Sequence, residues 1–173
     1  TSSSSVTEPQ APLSIIMDST NISCAGYNDG TGTASVSGGT PGYSYLWNDP
    51  QAQTTATATD LPSGNFQVTV TDANGCVITG SVNIEEPNAI NISAVADSTN
   101  CFGEATGGIS VVASGGTGIG FAYSIDGGET FQSSPDFFNL PAGVYDEIIV
   151  QDLGSNIACL SPLTSATVYE QPY

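Results

Sequence analysis

The side chains that could do chemistry in this chain are its cysteines and its carboxylates. Its 173 residues include four cysteines and 17 Asp and Glu residues, but no Lys, Arg or His. General acid–base catalysis usually relies on His, on Lys, or on a carboxylate with a shifted pKa. The carboxylates lie singly in the sequence except at Glu85–Glu86 and Asp146–Glu147. We therefore expect no catalytic residue and no enzyme.

The cysteine spacing predicts disulfides rather than a metal site. Cys24 and Cys76 are 52 residues apart, and Cys101 and Cys159 are 58 residues apart. Similar spacing favours Cys24–Cys76 and Cys101–Cys159 among the three possible pairings. A metal site is disfavoured because the chain has no CxxC motif and no His. Persistent disulfides require an oxidising compartment, so we expect a periplasmic or extracellular protein.

The formal net charge of −17 limits the partners of the chain. Phosphate binding depends on Lys and Arg, so we expect no nucleic-acid partner. No apolar run reaches the roughly 20 residues of a membrane span, so we expect no membrane insertion. Calcium is the one cation to weigh, and the best acidic turns for it are Asp72–Gly75 and Asp126–Glu129. Neither turn has the pattern of a known calcium loop, and we expect no cofactor.

A tandem repeat organises the chain. The tetrad Asp-Ser-Thr-Asn occurs at 18–21 and again at 97–100, and Pro62 and Pro141 are also 79 residues apart. A constant period across most of a chain indicates duplicated folding units, with the tetrad as their landmark. We predict four segments, listed in order: a leader or connector strand at 1–8, repeat 1 at 9–86, repeat 2 at 87–168, and the start of a next repeat or connector at 169–173.

Alternating polarity predicts that each repeat is built from β-strands. Phe66, Val68 and Val70 alternate with polar residues, a period of two. Asp146–Glu147 adds one residue to the matching segment of repeat 2, which predicts a β-bulge. Six or seven short strands in about 80 residues are typical of an immunoglobulin-like sandwich. The predicted fold is all-β, with two tandem immunoglobulin-like β-sandwich repeats.

An aromatic strand offers one candidate binding surface. Tyr43, Tyr45 and Trp47 share one face of a predicted strand. A sugar-stacking platform is one interpretation, and a strand that packs into the core is the other. Repeat 2 has the aliphatic Ile125 where repeat 1 has Trp47, which favours the core interpretation.

Several motifs resemble one known family. The segments "GGTPGYSYLWND", "DLPSGNFQVTVTDANGC" and "NLPAGVY" are similar to the SprB-type repeats of Bacteroidetes cell-surface and gliding-motility adhesins. Repeat 2 departs from the pattern, with "GGTGIGFAY" in place of the proline-bearing turn. The resemblance implies a cell-surface location and an adhesive or structural role, and it supplies no catalytic residue.

The same resemblance implies candidate glycosylation sites. Asp-Ser-Thr fits the O-glycosylation pattern of Bacteroidetes, which makes Ser19 and Ser98 candidates. Asn21 and Asn91 independently begin N-linked sequons of the form Asn-Ile-Ser. The structural alternative is that these polar residues form local turn hydrogen bonds.

These observations predict a non-catalytic, extracellular structural protein. It would form part of a bacterial surface filament or adhesin stalk, with copies of itself joined head to tail as partners. Residues 1–16 are a candidate donor strand that completes the sheet of a neighbour. The alternative function is a module that binds a carbohydrate or another surface, and glycans are then the additional partner.

Overall fold

The structure, a computed structural model, describes residues 11–155 and 157–172. All regular secondary structure in these residues is β-strand. The described chain forms two compact units. Unit 1 contains the residues up to Ile22 and Tyr27–Glu86, whereas Ser23–Gly26 and the residues from Pro87 onward form unit 2. The predicted leader strand at residues 1–8 lies outside the described residues.

Unit 1 is a sandwich of two three-stranded antiparallel sheets. One sheet has the order β1-β2-β4 and the other β3-β5-β6. The alternation predicted for Phe66, Val68 and Val70 is present, and all three side chains are buried between the sheets. The strands are β1 (Ser14–Thr20), β2 (Gly30–Ser37), β3 (Ser44–Trp47), β4 (Thr57–Leu61), β5 (Gly64–Thr71) and β6 (Val77–Ile84).

Unit 2 repeats this arrangement, and its first, second and fifth strands are longer than those of unit 1. One sheet has the order β7-β8-β10, and in the other β11 pairs with β9, β12 and β13. Strands β12 and β13 pair with successive parts of β11 and so replace the single last strand of unit 1. The strands are β7 (Asn88–Asp97), β8 (Gly107–Gly116), β9 (Phe121–Ser124), β10 (Asp136–Leu140), β11 (Gly143–Asp152), β12 (Cys159–Leu160) and β13 (Thr164–Val168).

The strand order confirms the predicted all-β, immunoglobulin-like sandwich. The first, second and fourth strands of each unit form one sheet, and the third, fifth and last form the other. Immunoglobulin-like domains divide their A, B, E and C, F, G strands in this way. Unit 2 also has the tyrosine corner of such domains, because the Tyr145 hydroxyl donates a hydrogen bond to the carbonyl oxygen of Pro141 at 3.1 Å.

The predicted β-bulge is present in β11. Tyr145 pairs with Ala166, but the next pair is Ile148 with Thr164. Two residues of β11, Asp146 and Glu147, therefore stand opposite a single residue of β13.

The predicted donor-strand segment is only partly described. Ser14, Ile15 and Ile16 pair with β2 of the same chain, so these three residues complete their own sheet. Residues 1–10 lie outside the described part of the chain.

Equivalent backbone contacts fix the true register between the two repeats. Gly38 lies against the carbonyl of Pro12, and Gly115 lies in the same way against the carbonyl of Ala89. Both glycines have positive φ, 72° and 90°, and each carbonyl lies where a Cβ would be. Equivalent residues of the two repeats are therefore 77 positions apart in this region, and the offset increases to 79 positions at Leu61 and Leu140.

The tetrad prediction was wrong, because the two tetrads are not at equivalent positions. Gly30 lies beside the carbonyl of Thr20, and its counterpart Gly107 lies beside that of Asp97. Asp97 therefore corresponds to Thr20, two residues after Asp18. The 79-residue spacing of Pro62 and Pro141 includes two extra residues that repeat 2 carries between Gly116 and Leu140. The tetrads lie before this insertion, and their spacing matches by chance. The segments Ser23–Gly26 and Asn100–Gly103 do correspond, each with a glycine at positive φ, 82° and 77°.

One buried position differs in chemistry between the repeats. The backbone N–H of Ile22 donates to the carbonyl of Glu85, and the N–H of Thr99 donates to the carbonyl of Tyr169 in the same way. Both residues are buried, but the Thr99 hydroxyl has no hydrogen-bond partner among the described residues. A buried hydroxyl without a partner carries an uncompensated desolvation cost.

We therefore expect Thr99→Val to stabilise unit 2 by about 1 kcal/mol, since it removes the uncompensated hydroxyl and keeps the side-chain shape. Urea unfolding with separate probes for the two units measures the change. The control is Thr117→Val, which removes a hydroxyl bonded to the buried Asp152 carboxylate at 2.8 Å and should destabilise unit 2. A destabilising Thr99→Val would show that this hydroxyl has a partner in solution.

Candidate functional site

The predicted disulfide pairing was wrong, because the structure joins Cys24 to Cys159. Cys76 and Cys101 are free and exposed. Cys24 and Cys159 are both buried, and they belong to the hydrophobic core of unit 2. Neither unit is therefore closed by a disulfide between the two cysteines of its own repeat.

Strand direction explains why Cys24 does not bond to Cys76. The backbone N–H of Ile22 donates to the carbonyl of Glu85, just after β6 ends. Cys76 immediately precedes the start of β6, which is eight residues long. At 3.3 Å per residue, this strand separates the two positions by about 25 Å. The two residues from Ile22 to Cys24 are too short to cross that distance, because bonded cysteines need Cα atoms within about 7 Å.

The same geometry separates the two cysteines of repeat 2. Asp152 pairs with Cys159 at one end of β11, and Gly143 pairs with Val168 at the other end. The segment with Cys101 lies at the Val168 end, because the N–H of Gly103 donates to the Glu170 carboxylate at 2.7 Å. The ten residues of β11 place the two cysteines about 30 Å apart.

Each repeat therefore has one cysteine of each of two kinds. Cys24 and Cys101 lie in equivalent loops after the first strand, and we call them the loop cysteines. Cys76 and Cys159 each end the turn that follows the fifth strand of the repeat, Cys76 just before β6 and Cys159 as the first residue of β12, and we call them the turn cysteines. The observed bond joins the loop cysteine of repeat 1 to the turn cysteine of repeat 2.

A buried aspartate organises the turn in each unit. The Asp72 carboxylate accepts hydrogen bonds from the backbone N–H groups of Thr40, Asn74 and Cys76 at 2.8–2.9 Å. The N–H of Asp72 also donates to the carbonyl of Cys76. The turn cysteine of repeat 1 is thus held by its own backbone, and its exposed thiol also hydrogen-bonds the Asp72 carboxylate.

Asp152 has the same role in unit 2. Its carboxylate accepts from the N–H of Thr117 at 2.6 Å, from the Thr117 hydroxyl at 2.8 Å and from the N–H of Gly154 at 3.0 Å. Asp152 pairs with Cys159, as Asp72 pairs with Cys76. The Asp152–Cys159 turn is three residues longer than the Asp72–Cys76 turn.

The hydrogen bonds of these carboxylates lower their pKa values. The N–H bonds from Thr40 and Cys76 lower the pKa of Asp72. Burial alone would raise the pKa of Asp152, but the bonds from Gly154 and Thr117 lower it overall. Bonds from Ser124 and Thr130 lower the pKa of Asp126 to about 2.

The candidate calcium turns use their aspartates as acceptors for the protein itself. Asp72 binds three backbone amides, and Asp126 accepts from the Ser124 hydroxyl and from both donors of Thr130. Among the described residues, no group of three or more Asp, Glu, Cys or His side chains is placed to hold a metal ion.

The structure places the aromatic candidates against the core of unit 1. Trp47 is 1% exposed, and its indole N–H donates to the carbonyl of Thr55 at 2.9 Å. Tyr43 and Tyr45 pack against the same core and are half-buried. A ring this deeply buried has no free face on which a sugar could stack.

The four glycosylation candidates occupy four different environments. Ser19 is exposed at the end of β1, and Ser98 is half-buried after β7. The Asn21 side chain accepts a hydrogen bond from the N–H of Glu85, and the Asn91 side chain donates one to the carbonyl of Ala89. The register of the repeats aligns Ser19 with Ala96 and Ser98 with Asn21. Recurrence at one repeat position therefore no longer supports these sites, which remain predictions.

Comparison with known proteins confirms the family resemblance. The family model of the SprB repeat matches residues 17–52 and 93–130. No curated protein matches the chain. A solved structure titled "Structural basis for Dscam isoform specificity" is similar, with a TM-score of 0.35 and 13% identity. The match covers 96% of this chain and 47% of that one, so the chain spans about half its length. No helix in the described residues is long and apolar enough to cross a membrane.

Acid should weaken the turn that Asp126 organises. Its folded pKa of about 2 lies below the unfolded value of about 3.9. The ionised group therefore contributes stability that is complete above about pH 5 and is lost progressively as the pH falls through about 2. We expect Asp126→Asn to lower the free energy of unfolding of unit 2 at pH 6, and this deficit should shrink toward pH 2.

Urea titrations at a series of pH values measure this difference. Glu129→Gln is the charge-matched control, because it removes one negative charge from the same turn. If the two variants had equal pH profiles, general charge repulsion rather than the Asp126 hydrogen bonds would account for the effect.

Proposed function

Since the chain carries two SprB-type repeats, we propose that it is a structural segment of a bacterial surface filament or adhesin stalk. SprB repeats occur in cell-surface proteins, which supports this proposal. In this proposal the chain works outside the cell, without catalysis and without a cofactor, and its partners are copies of itself joined end to end.

The observation that carries this proposal is that both repeats have the same two end features. Each repeat has a cysteine loop after its first strand and an aspartate-capped cysteine turn after its fifth strand. Within each repeat these features lie at opposite ends of long strands, about 25–30 Å apart. A module with different features at its two ends makes heterologous contacts, and such contacts propagate into a fibre when they do not close.

The carbohydrate-binding alternative receives less support. Its best candidate, Trp47, is buried in the core of unit 1 and bonded to the backbone. Asp72 and Asp126, the most suitable residues for calcium, instead stabilise their own turns. A mechanical role makes use of the buried Trp47 and of the two aspartates, since the first fills the core of unit 1 and the others fix turns.

The proposal predicts that end-to-end association strengthens with salt. Every ionised side chain is negative, and raising the salt from about 10 mM to about 0.1 M shortens the range of the repulsion from about 30 Å to about 10 Å. Sedimentation velocity and negative-stain microscopy should show longer rods at the higher salt. Cys76 and Cys101 are replaced by Ser in this experiment, so that no exposed thiol can cross-link.

Association that weakened as salt rises would contradict this electrostatic account. A chain that stayed monomeric at every salt concentration and bound specific glycans on an array would favour the binding-module alternative instead.

A further inference from the structure

The disulfide in the structure defines a rule for which cysteines bond. A loop cysteine of one repeat bonds to the turn cysteine of the repeat that follows it, as Cys24 bonds to Cys159. This bond uses one cysteine of each kind and leaves one of each kind over. The remaining turn cysteine, Cys76, and the remaining loop cysteine, Cys101, are both free and exposed.

We propose that Cys101 of one chain forms a disulfide with Cys76 of a second copy, so that copies are linked covalently from head to tail. This proposal rests on the end-to-end assembly proposed above and specifies its chemistry. This link would be equivalent to the Cys24–Cys159 bond. Cys101, in the loop of repeat 2, would bond to Cys76, in the turn of repeat 1 of the next copy.

The loops that carry Cys24 and Cys101 have matching backbones. Ser23–Gly26 and Asn100–Gly103 each form a bend and a turn that end in a glycine with φ near 80°. The segment Ser23–Gly26 groups with unit 2 rather than with unit 1, in which β1 and β2 lie on either side of it in sequence. By this equivalence, Asn100–Gly103 is the segment of repeat 2 suited to join the unit that follows.

Burial distinguishes the bonded cysteines from the free ones. Cys24 and Cys159 are 5% and 7% exposed, whereas Cys76 and Cys101 are both exposed. Each free cysteine is followed by a large apolar residue that is at least half exposed, Val77 after Cys76 and Phe102 after Cys101. A second copy seated on each end would cover this apolar surface as well as the thiol.

The turn that carries Cys76 is prepared for such a bond. Asp72 holds the N–H of Cys76 at 2.8 Å, and the N–H of Asp72 holds the carbonyl of Cys76. The backbone at Cys76 is therefore fixed while its side chain is exposed. The Cys76 side chain also hydrogen-bonds the Asp72 carboxylate. Cys76→Ser keeps both backbone contacts and places a hydroxyl where the thiol meets this carboxylate, so the turn is preserved and the thiol is removed.

The bond requires an oxidant, and a disulfide such as oxidised glutathione or an oxidised dithiol oxidoreductase supplies it. The thiolate of Cys101 attacks the oxidant, breaks its S–S bond and releases one reduced thiol. The thiolate of Cys76 from the second copy then attacks the mixed disulfide and releases the other thiol. Two thiols of the protein lose two electrons and two protons, and the oxidant disulfide is reduced to two thiols.

Complementary variants test the pairing. Wild-type chain, Cys76→Ser, Cys101→Ser and the double variant are each treated with oxidised glutathione and separated on gels without reductant. We expect a ladder of multimers for the wild type and only monomers for the double variant. An equal mixture of the two single variants should give one dimer band that neither gives alone, because Cys101 of Cys76→Ser meets Cys76 of Cys101→Ser.

Peptide mapping of that dimer should identify Cys101 joined to Cys76, with Cys24–Cys159 intact in both copies. Dimers that form equally well from either single variant alone would overturn the proposal, since they would show unselective pairing of exposed thiols. A wild-type chain that stays monomeric under oxidation would overturn it as well.

Microscopy of the double variant separates this inference from the proposed function. If the double variant forms rods but the wild type forms no Cys101–Cys76 bond, the covalent link is wrong and the end-to-end function stands. If the mixed dimer forms with the expected bond but no variant forms rods under any salt condition, the pairing stands and the filament function is wrong.

Discussion

The length and direction of the strands determine which cysteines of this protein can meet. In each repeat the loop cysteine follows the first strand, and the turn cysteine lies at the far end of a strand of eight or ten residues. In the part of the chain that the structure describes, no loop crosses the resulting 25–30 Å. A repeat therefore cannot close on its own cysteines. Its two thiols are available to other repeats, and the Cys24–Cys159 bond is the consequence that the structure shows.

The chain has no Lys, Arg or His side chain, so its buried carboxylates must accept hydrogen bonds in place of ion pairs. Here Asp72, Asp152 and Asp126 accept hydrogen bonds from backbone N–H groups and from neighbouring hydroxyls. These bonds fix the turns and keep the pKa values of the carboxylates low. Asp72 and Asp126, which look like metal ligands in the sequence, are thus structural acceptors, and Asp72 and Asp152 hold the turn cysteines in place.

Much of the fold could be predicted from local pattern. The alternation of Phe66, Val68 and Val70 and the extra residue at Asp146–Glu147 depend only on the two-residue period of a strand. The disulfide pairing depended instead on which end of the sandwich each cysteine occupies. The spacing of cysteines in the sequence does not say at which end of a strand each one lies. The predicted topology does say so, since the first and last strands of unit 1 run in the same direction. The tetrad prediction failed because two residues inserted after Gly116 give Pro62 and Pro141 a spacing of 79 residues, which the tetrads share only by chance.

The most direct test of this account is a disulfide map of the monomer. The chain is alkylated without reduction and digested with a protease that cleaves after Glu. The fragment ending at Glu85 carries Cys24 and Cys76, that ending at Glu104 carries Cys101, and that ending at Glu170 carries Cys159. We predict that the Glu85 and Glu170 fragments are joined through Cys24 and Cys159, with Cys76 and Cys101 alkylated. A bond between the Glu104 and Glu170 fragments, or one from Cys24 to Cys76, would contradict the account.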